Sequence, residues 1–286
     1  METVFNPYFF HIAIICLYYA ILASSWNVVA GMTGFATYSH AAFASLGAYV
    51  SACITLCFGW PIVISLPIAF LAGAVLGGLL GKLSLRLSGT YLALVTLAFS
   101  ELLRLFLTNE DQWTRGSLGL KVPLLWPDAG RGILAQKIPV FFIFAFVLTG
   151  LLFLIRTLEK SRTGLHLRAI LSDELAAASL GVQTENLRVA VFSASSAVAS
   201  FAGALYGHYL GLISPEMGGL SQMFLVLAMT ILGGMGTLLG PVVGAVLLEG
   251  LSEGLRDFGQ IHVFLYAVVV LLIFRLKPRG LLGGRG

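Results

Sequence analysis

Apolar residues occur along this chain in long blocks separated by short segments rich in glycine, proline and charge. Most blocks are about 18 to 25 residues long, enough for a helix to cross the roughly 30 Å of hydrocarbon in a bilayer. The blocks lie at 8–29, 36–57, 62–81, 90–108, 138–156, 188–211, 221–250 and 260–275. The predicted fold class is therefore an all-α integral membrane protein, a polytopic bundle of about eight hydrophobic segments.

The composition agrees with this prediction. Of 286 residues, 58% are hydrophobic and 10% charged, and the mean hydropathy is +0.94. That is more apolar surface than one water-soluble domain could bury, so residues 1–286 are predicted to form a single transmembrane domain. The formal net charge is +4. Because the basic residues cluster between helices and at the C-terminus, they indicate topology rather than a nucleic-acid surface.

Loops rich in Lys and Arg usually face the cytoplasm, and three segments of this chain qualify. Their basic residues are Lys82 and Arg86; Arg156, Lys160, Arg162 and Arg168; and Arg275, Lys277, Arg279 and Arg285. The number of spans then puts segment 109–137 outside. It also requires 221–250 to enter and leave on the same face. We therefore predict a broken or re-entrant helix pair centred on Gly233–Pro241, and a second such break near Gly31–Gly34.

Residues 157–187 are predicted to form a cytoplasmic loop that contains a short amphipathic helix. Ser172 can cap this helix, Asp173 and Glu174 suit its first turn, and Gly181 can end it. One interpretation is a solvated linker helix on the membrane surface. The small residues and flanking charges instead favour docking into a groove of another protein.

Polar residues within the spans are candidates for a solute path. Glu101 and Arg104 are three residues apart and can pair on one helix face, which favours a structural ion pair over a solute contact. A lone histidine in a span is more typical of hydrogen-bonded packing than of a relay. The candidates for the translocation path are Ser39, His40, Glu101, Gly234 and Gly236.

Motifs for catalysis or nucleotide binding do not occur in this sequence. Gly81-Lys82 resembles the end of a phosphate loop, but Leu76 stands where the first glycine of that loop belongs. The chain is therefore predicted not to be an enzyme, not to hydrolyse ATP and to bind no metal or cofactor itself.

Four ordered stretches resemble the permease subunits of branched-chain amino-acid ABC importers, in particular the LivM-like family. They are Gly31–Tyr49, Gly89–Phe99 with Glu101 and Arg104, Arg162–Gly181, and Leu232–Ala245. The resemblance implies a permease in the bacterial inner membrane that works by alternating access. It also implies a second related permease, two cytoplasmic ATPase subunits that bind ATP, and a periplasmic solute-binding protein. Whether the second permease is another copy of this chain is left open.

The family resemblance assigns ATPase coupling to the cytoplasmic loop. The residues implied are Arg168, Asp173, Glu174, Ala176, Ala177 and Gly181. Leucine, isoleucine and valine are the solutes that the family implies by default, although members also serve urea and short amides.

Two other function classes remain as alternatives. A secondary transporter or channel for a small polar solute would need no docking loop, and it should carry ion-coupling acidic residues in mid-span, of which this chain has few. An intramembrane enzyme would need a convergent nucleophile, base or metal set, and Glu101 with His40 or His208 is a thin basis for one.

Overall fold

The computed structural model describes residues 7–84, 87, 90–126, 133–256, 268, 270, 271, 275, 277 and 280–283. Within these residues, six helices are long and apolar enough to cross a membrane. They are α1 (Pro7–Thr33), α2 (His40–Cys57), α3 (Ile62–Ser84), α4 (Thr90–Asn109), α6 (Ile133–Lys160) and α9 (Thr184–Leu210). The predicted helical, multi-pass architecture is confirmed at this level. The predicted segment 260–275 lies largely outside the described residues.

Shorter elements connect these helices. They are α5 (Asp111–Thr114), β1 (Leu120–Lys121), α7 (Arg162–Ser172), α8 (Glu174–Ser179), β2 (Leu212–Ile213), α10 (Leu220–Gly233), α11 (Gly240–Leu255), and two 3₁₀ turns at Gly116–Leu118 and Pro215–Gly218. β1 pairs antiparallel with β2, with Leu120 opposite Ile213. This pairing puts segment 109–126 and the end of α9 at the same end of the bundle.

The apolar stretch 221–250 forms two helices, α10 and α11, separated by residues 234–239, which we call the second interruption. At 1.5 Å per residue the 14 residues of α10 and the 16 of α11 measure about 21 and 24 Å. Each is shorter than the roughly 30 Å hydrocarbon core. Within the interruption, Gly234 and Gly236 have φ values of 121° and 79°, a region that glycine adopts readily.

The two short helices form an antiparallel hairpin whose backbones touch. A Cβ atom placed on Gly244 would lie 1.8 Å from the carbonyl oxygen of Met229, and one on Gly233 would lie 1.8 Å from that of Gly240. No side chain larger than hydrogen fits at either position. Small residues allow this approach of membrane helices.

α9 forms the centre of the bundle, where α2 and α3 pack against it. A Cβ atom on Gly47 of α2 would lie 1.9 Å from the carbonyl oxygen of Ser200, and one on Gly203 of α9 would lie 1.9 Å from that of Ala44. Most residues of α1, α2 and α9 are buried, whereas few residues of α3, α4 and α6 are. One half of the bundle is thus a dense core, and the other presents wide apolar faces.

α2 begins at His40 rather than near residue 36, because residues 34–39 leave the helical path. We call this segment the first interruption. Side chains bind its backbone: the indole Nε1 of Trp26 donates to the Thr37 carbonyl (2.7 Å), and the Ser100 hydroxyl donates to the Tyr38 carbonyl (2.7 Å). The Tyr38 amide donates to Thr96 Oγ1 (3.0 Å). Irregular backbone at membrane depth needs such partners.

Candidate functional site

The predicted cytoplasmic loop folds as two helices, α7 and α8. Ser172 is the last residue of α7, and Asp173 caps α8 by accepting a hydrogen bond from the Ala176 amide (3.0 Å). The predicted cap is therefore wrong by one residue, because the chain turns between two helices at this point. Gly181 follows α8 with a φ of 85°, in agreement with its predicted role as the stop.

Most of the predicted coupling residues are on the surface. Those exposed are Arg168, Asp173, Glu174, Ala176 and Gly181. Ala177 is only 2% exposed, so it packs inside the subunit. Sequence reasoning missed Leu175 of α8 and Leu180, the residue that follows α8, which are 80% and 85% exposed. Exposed apolar side chains beside charges are typical of an interaction surface.

The loop contacts the first interruption at two points. Glu174 forms an ion pair with Arg188 in the second turn of α9, whose side chain is 7% exposed. The Arg188 guanidinium carbon lies 4.1 Å from the centre of the Phe35 ring. Nearby, a Cβ atom on Gly34 would lie 3.1 Å from Leu171 Cδ1 of α7. Arg188 was missed because a partner 14 residues away leaves no periodic signal.

Ser39 and His40 are fully buried where the first interruption meets α2. The Ser195 hydroxyl donates to the Ser25 carbonyl (2.5 Å), so the Nε2–H of His40 donates to the Ser195 oxygen (2.6 Å). His40 Nδ1 and Ser39 Oγ find no hydrogen-bond partner among the described residues. The histidine is thus hydrogen-bonded within the core through Nε2. Its Nδ1 and the Ser39 hydroxyl are the polar atoms that remain beside the first interruption.

Gly234 and Gly236 lie in the second interruption, which Asn27 of α1 holds. The Asn27 side-chain oxygen accepts from the Gly236 amide (2.8 Å), and its side-chain nitrogen donates to the Thr237 carbonyl (2.9 Å). On the other side, the Leu281 amide donates to the Leu232 carbonyl (2.8 Å). The C-terminal segment therefore returns to the end of α10.

Glu101 pairs with Arg104 as its spacing predicts, with 2.5 Å between Arg104 Nη2 and Glu101 Oε1. Arg104 Nη1 also contacts Glu216 Oε1 at 3.2 Å. Glu216 belongs to the 3₁₀ turn before α10 and is 112 residues distant in sequence, so sequence reasoning missed it. The three charges connect α4 to the entrance of the α10–α11 hairpin.

The candidate path residues fall into three neighbouring groups around α1 and the first interruption. His40 is joined to the Ser25 carbonyl of α1 through Ser195 of α9, and the second interruption binds α1 at Asn27. Glu101 follows Ser100, which binds Tyr38. Polar groups and irregular backbone at the ends of broken helices are typical of a transport path.

Comparisons with known proteins agree on one family. Residues 8–275 match the family model described as "Branched-chain amino acid transport system / permease component". The chain is 32% identical to the high-affinity branched-chain amino acid transport system permease protein LivM of Escherichia coli, over 95% of this chain and 69% of that protein. It is 26% identical to LivH of E. coli and to BraD of Pseudomonas aeruginosa, over 93% of this chain and 91% of each. No solved structure matches it.

Proposed function

The chain belongs to the family of branched-chain amino acid transport system permease components, and we propose that it is the membrane-spanning permease subunit of an ABC importer for these amino acids. LivM, LivH and BraD are each named as permeases of a high-affinity system for this solute class. Leucine, isoleucine and valine are accordingly the proposed cargo. The proposed location is a bacterial inner membrane.

The exposed loop of α7 and α8 carries the proposal. Its leucines, Leu175 and Leu180, project from the surface beside Asp173 and Glu174. Such a surface suits a groove on a cytoplasmic ATPase, with the apolar side chains as anchors and the charges at the rim. ATP binding and hydrolysis then take place on two partner subunits, and this chain changes no covalent bond.

A second permease completes the proposed path. LivM and LivH of E. coli carry the name of one transport system, which supports a pair of related permeases. The wide exposed faces of α3, α4 and α6 offer surface both for lipid and for such a partner. A solute-binding protein would dock at the opposite end from α7 and α8, where β1 and β2 pair.

Alternating access is the proposed mechanism. ATP closes the ATPase pair, α7 and α8 follow the closure, and the helices around the path rearrange. This requires ATP to bind the two conformations with different affinity, since a ligand indifferent to them shifts nothing. We propose that the α10–α11 hairpin is re-entrant from the outer face. Its two short antiparallel helices and the contact of its tip with Asn27 support this arrangement.

The proposal is tested by uptake into vesicles that contain this chain, its partner subunits and the binding protein. Labelled leucine should accumulate with ATP, and urea should not. Gly181→Arg should abolish uptake while the permease still inserts, because a bulky cation would block the docking surface.

Gly181→Asn is the matched control, because asparagine tolerates a positive φ and adds little bulk. A Cβ atom at position 181 meets nothing within 4 Å among the described residues, so the subunit itself has room for this side chain. Uptake by this chain alone, unaffected by ATP and by Gly181→Arg, would contradict the proposal and favour a secondary transporter or channel.

A further inference from the structure

We propose that Arg188 is a positioning residue of transport, which passes movement of α8 to the first interruption by holding Glu174 and the Phe35 ring at once. The inference rests on the proposed function, because it assigns a route for the motion that a partner ATPase would start. It concerns no group that touches solute or nucleotide.

Burying the charged side chain of Arg188 at this position costs free energy of folding. Its side chain is 7% exposed, and burial of a charge stabilises a fold only when partners compensate it well. The compensation here is incomplete, because Nε has no hydrogen-bond partner in the described part of the chain. An apolar residue would fill this position at lower cost. The arginine is therefore better explained by the two groups that it joins than by stability.

The first of these groups is on the docking surface. Glu174 opens the six-residue helix α8, and its side chain is 46% exposed although it pairs with Arg188. A partner that tilts or shifts α8 moves this carboxylate directly. Because the ion pair is partly buried, solvent and salt screen it less than a surface pair. Arg188 would therefore follow the carboxylate.

The second group belongs to irregular backbone. A guanidinium over an aromatic face is attracted by the ring and packs flat against it, so Phe35 would follow the arginine. Phe35 is three residues before Tyr38, whose amide and carbonyl bind Thr96 and Ser100 of α4. A displacement at Phe35 thus has a short route to the membrane helix that carries Glu101.

A second contact joins the α7–α8 loop to the first interruption. Leu171, at the end of α7, lies against Gly34, which has a φ of 76° and is exposed. α7 therefore contacts the first interruption directly, and α8 is joined to it through Arg188. The two contacts are separated by a single turn of chain, so one movement of the loop acts on both.

The test measures solute transported per ATP hydrolysed by the complete complex in proteoliposomes. Arg188→Met removes the charge at similar length, Glu174→Gln removes its partner's charge, and Phe35→Leu removes the ring. Each should lower this ratio, Arg188→Met on the order of tenfold, the usual size of coupling between two sites. Arg188→Lys keeps the charge but not the planar guanidinium, and should lie between Arg188→Met and the wild type.

Two comparisons separate transmission from a structural role. Lys82→Met removes an exposed charge near the end of α3, outside the α7–α8 loop and the candidate path, and should leave the ratio unchanged. The double variant Arg188→Met/Phe35→Leu should be no worse than Arg188→Met alone, since residues in one chain of contacts are not additive. ATP hydrolysis without solute should persist in every variant, which a merely unfolded subunit would not allow.

A wild-type ratio in Arg188→Met would overturn the inference. If that variant fails to insert, Glu174→Gln and Phe35→Leu decide, because both leave the buried arginine in place; a normal ratio in either overturns it. A wild-type complex without ATP-dependent uptake would instead contradict the proposed function itself.

Discussion

Two adjacent residues of α1 hold the two interruptions in different ways. Trp26 binds the first interruption through one hydrogen bond, from its indole nitrogen to the Thr37 carbonyl. Asn27 binds the second through two, to the Gly236 amide and the Thr237 carbonyl. Both interruptions are glycine-containing breaks between apolar helices, and these two side chains of α1 form one hydrogen bond to the first and two to the second.

The two interruptions also differ in the elements that contact them. The second closes a hairpin whose backbones are in direct contact at Gly233 and Gly244, and the C-terminal segment adds hydrogen bonds at its edge. The first contacts Leu171 of α7 and Arg188, which binds Glu174 of α8. We infer that the second interruption is a fixed part of the bundle and that the first is the one able to move.

A larger side chain inside the α10–α11 hairpin should have the largest effect on the stability of the subunit. In Gly244→Val the new side chain would start within bonding distance of the Met229 carbonyl, so the helices must separate at a cost above about 3 kcal/mol. The measurement is thermal unfolding of the purified subunit in detergent. Gly250→Val is the matched control in the same helix, because a Cβ atom there meets nothing within 4 Å among the described residues. Equal melting temperatures for both variants would show that the hairpin is loose.

Removing the side-chain amide of Asn27 should have an intermediate effect on the free energy of unfolding. Asn27→Ala leaves the Gly236 amide and the Thr237 carbonyl without their partner, which should cost about 2 to 4 kcal/mol. Trp26→Phe leaves one carbonyl unbound and should cost about 1 to 2 kcal/mol. The same unfolding experiment compares the two variants. If Trp26→Phe is the more destabilising, the first interruption is the firmer one and the comparison fails.

The smallest perturbation is a single cysteine used as a probe. Ala36 and Met235 are both exposed, one in each interruption. In a complex whose permease lacks Cys16, Cys53 and Cys57, the thiol labelling rate at position 36 should change when ATP binds, and the rate at position 235 should not. A change at 235 alone would assign the movement to the hairpin instead.

Hydropathy was enough to predict the long helices. The helix that begins at Thr90 and the break after Gly233 follow from apolar blocks, glycine and the parity of spans. The span predicted at 188–211 is also a helix, but α9 begins four residues earlier, at Thr184. Hydropathy could not place the start of α2, because residues 36–39 contain no glycine or proline to mark a break before His40. Their path depends on side chains of Trp26, Thr96 and Ser100, whose distance in sequence leaves no local pattern.

The site was predicted in part. The loop, its acidic start and Gly181 are local features, so the sequence contained them. Arg188 and Glu216 could not be predicted from the sequence, because each forms an ion pair between elements that are distant along the chain. Ala177 shows a different limit: on a six-residue helix of small residues, the sequence cannot tell which alanine faces inward.

α2 and α9 cross with backbone against backbone at Gly47 and Gly203. Where side chains separate two helices, changes of rotamer can absorb a small slide, and at these two glycines there is no side chain to change. We therefore expect α2 and α9 to tilt together as one rigid unit. A tilt at the end of α9 that carries Arg188 would swing α2 with it, and with α2 the interruption that precedes His40.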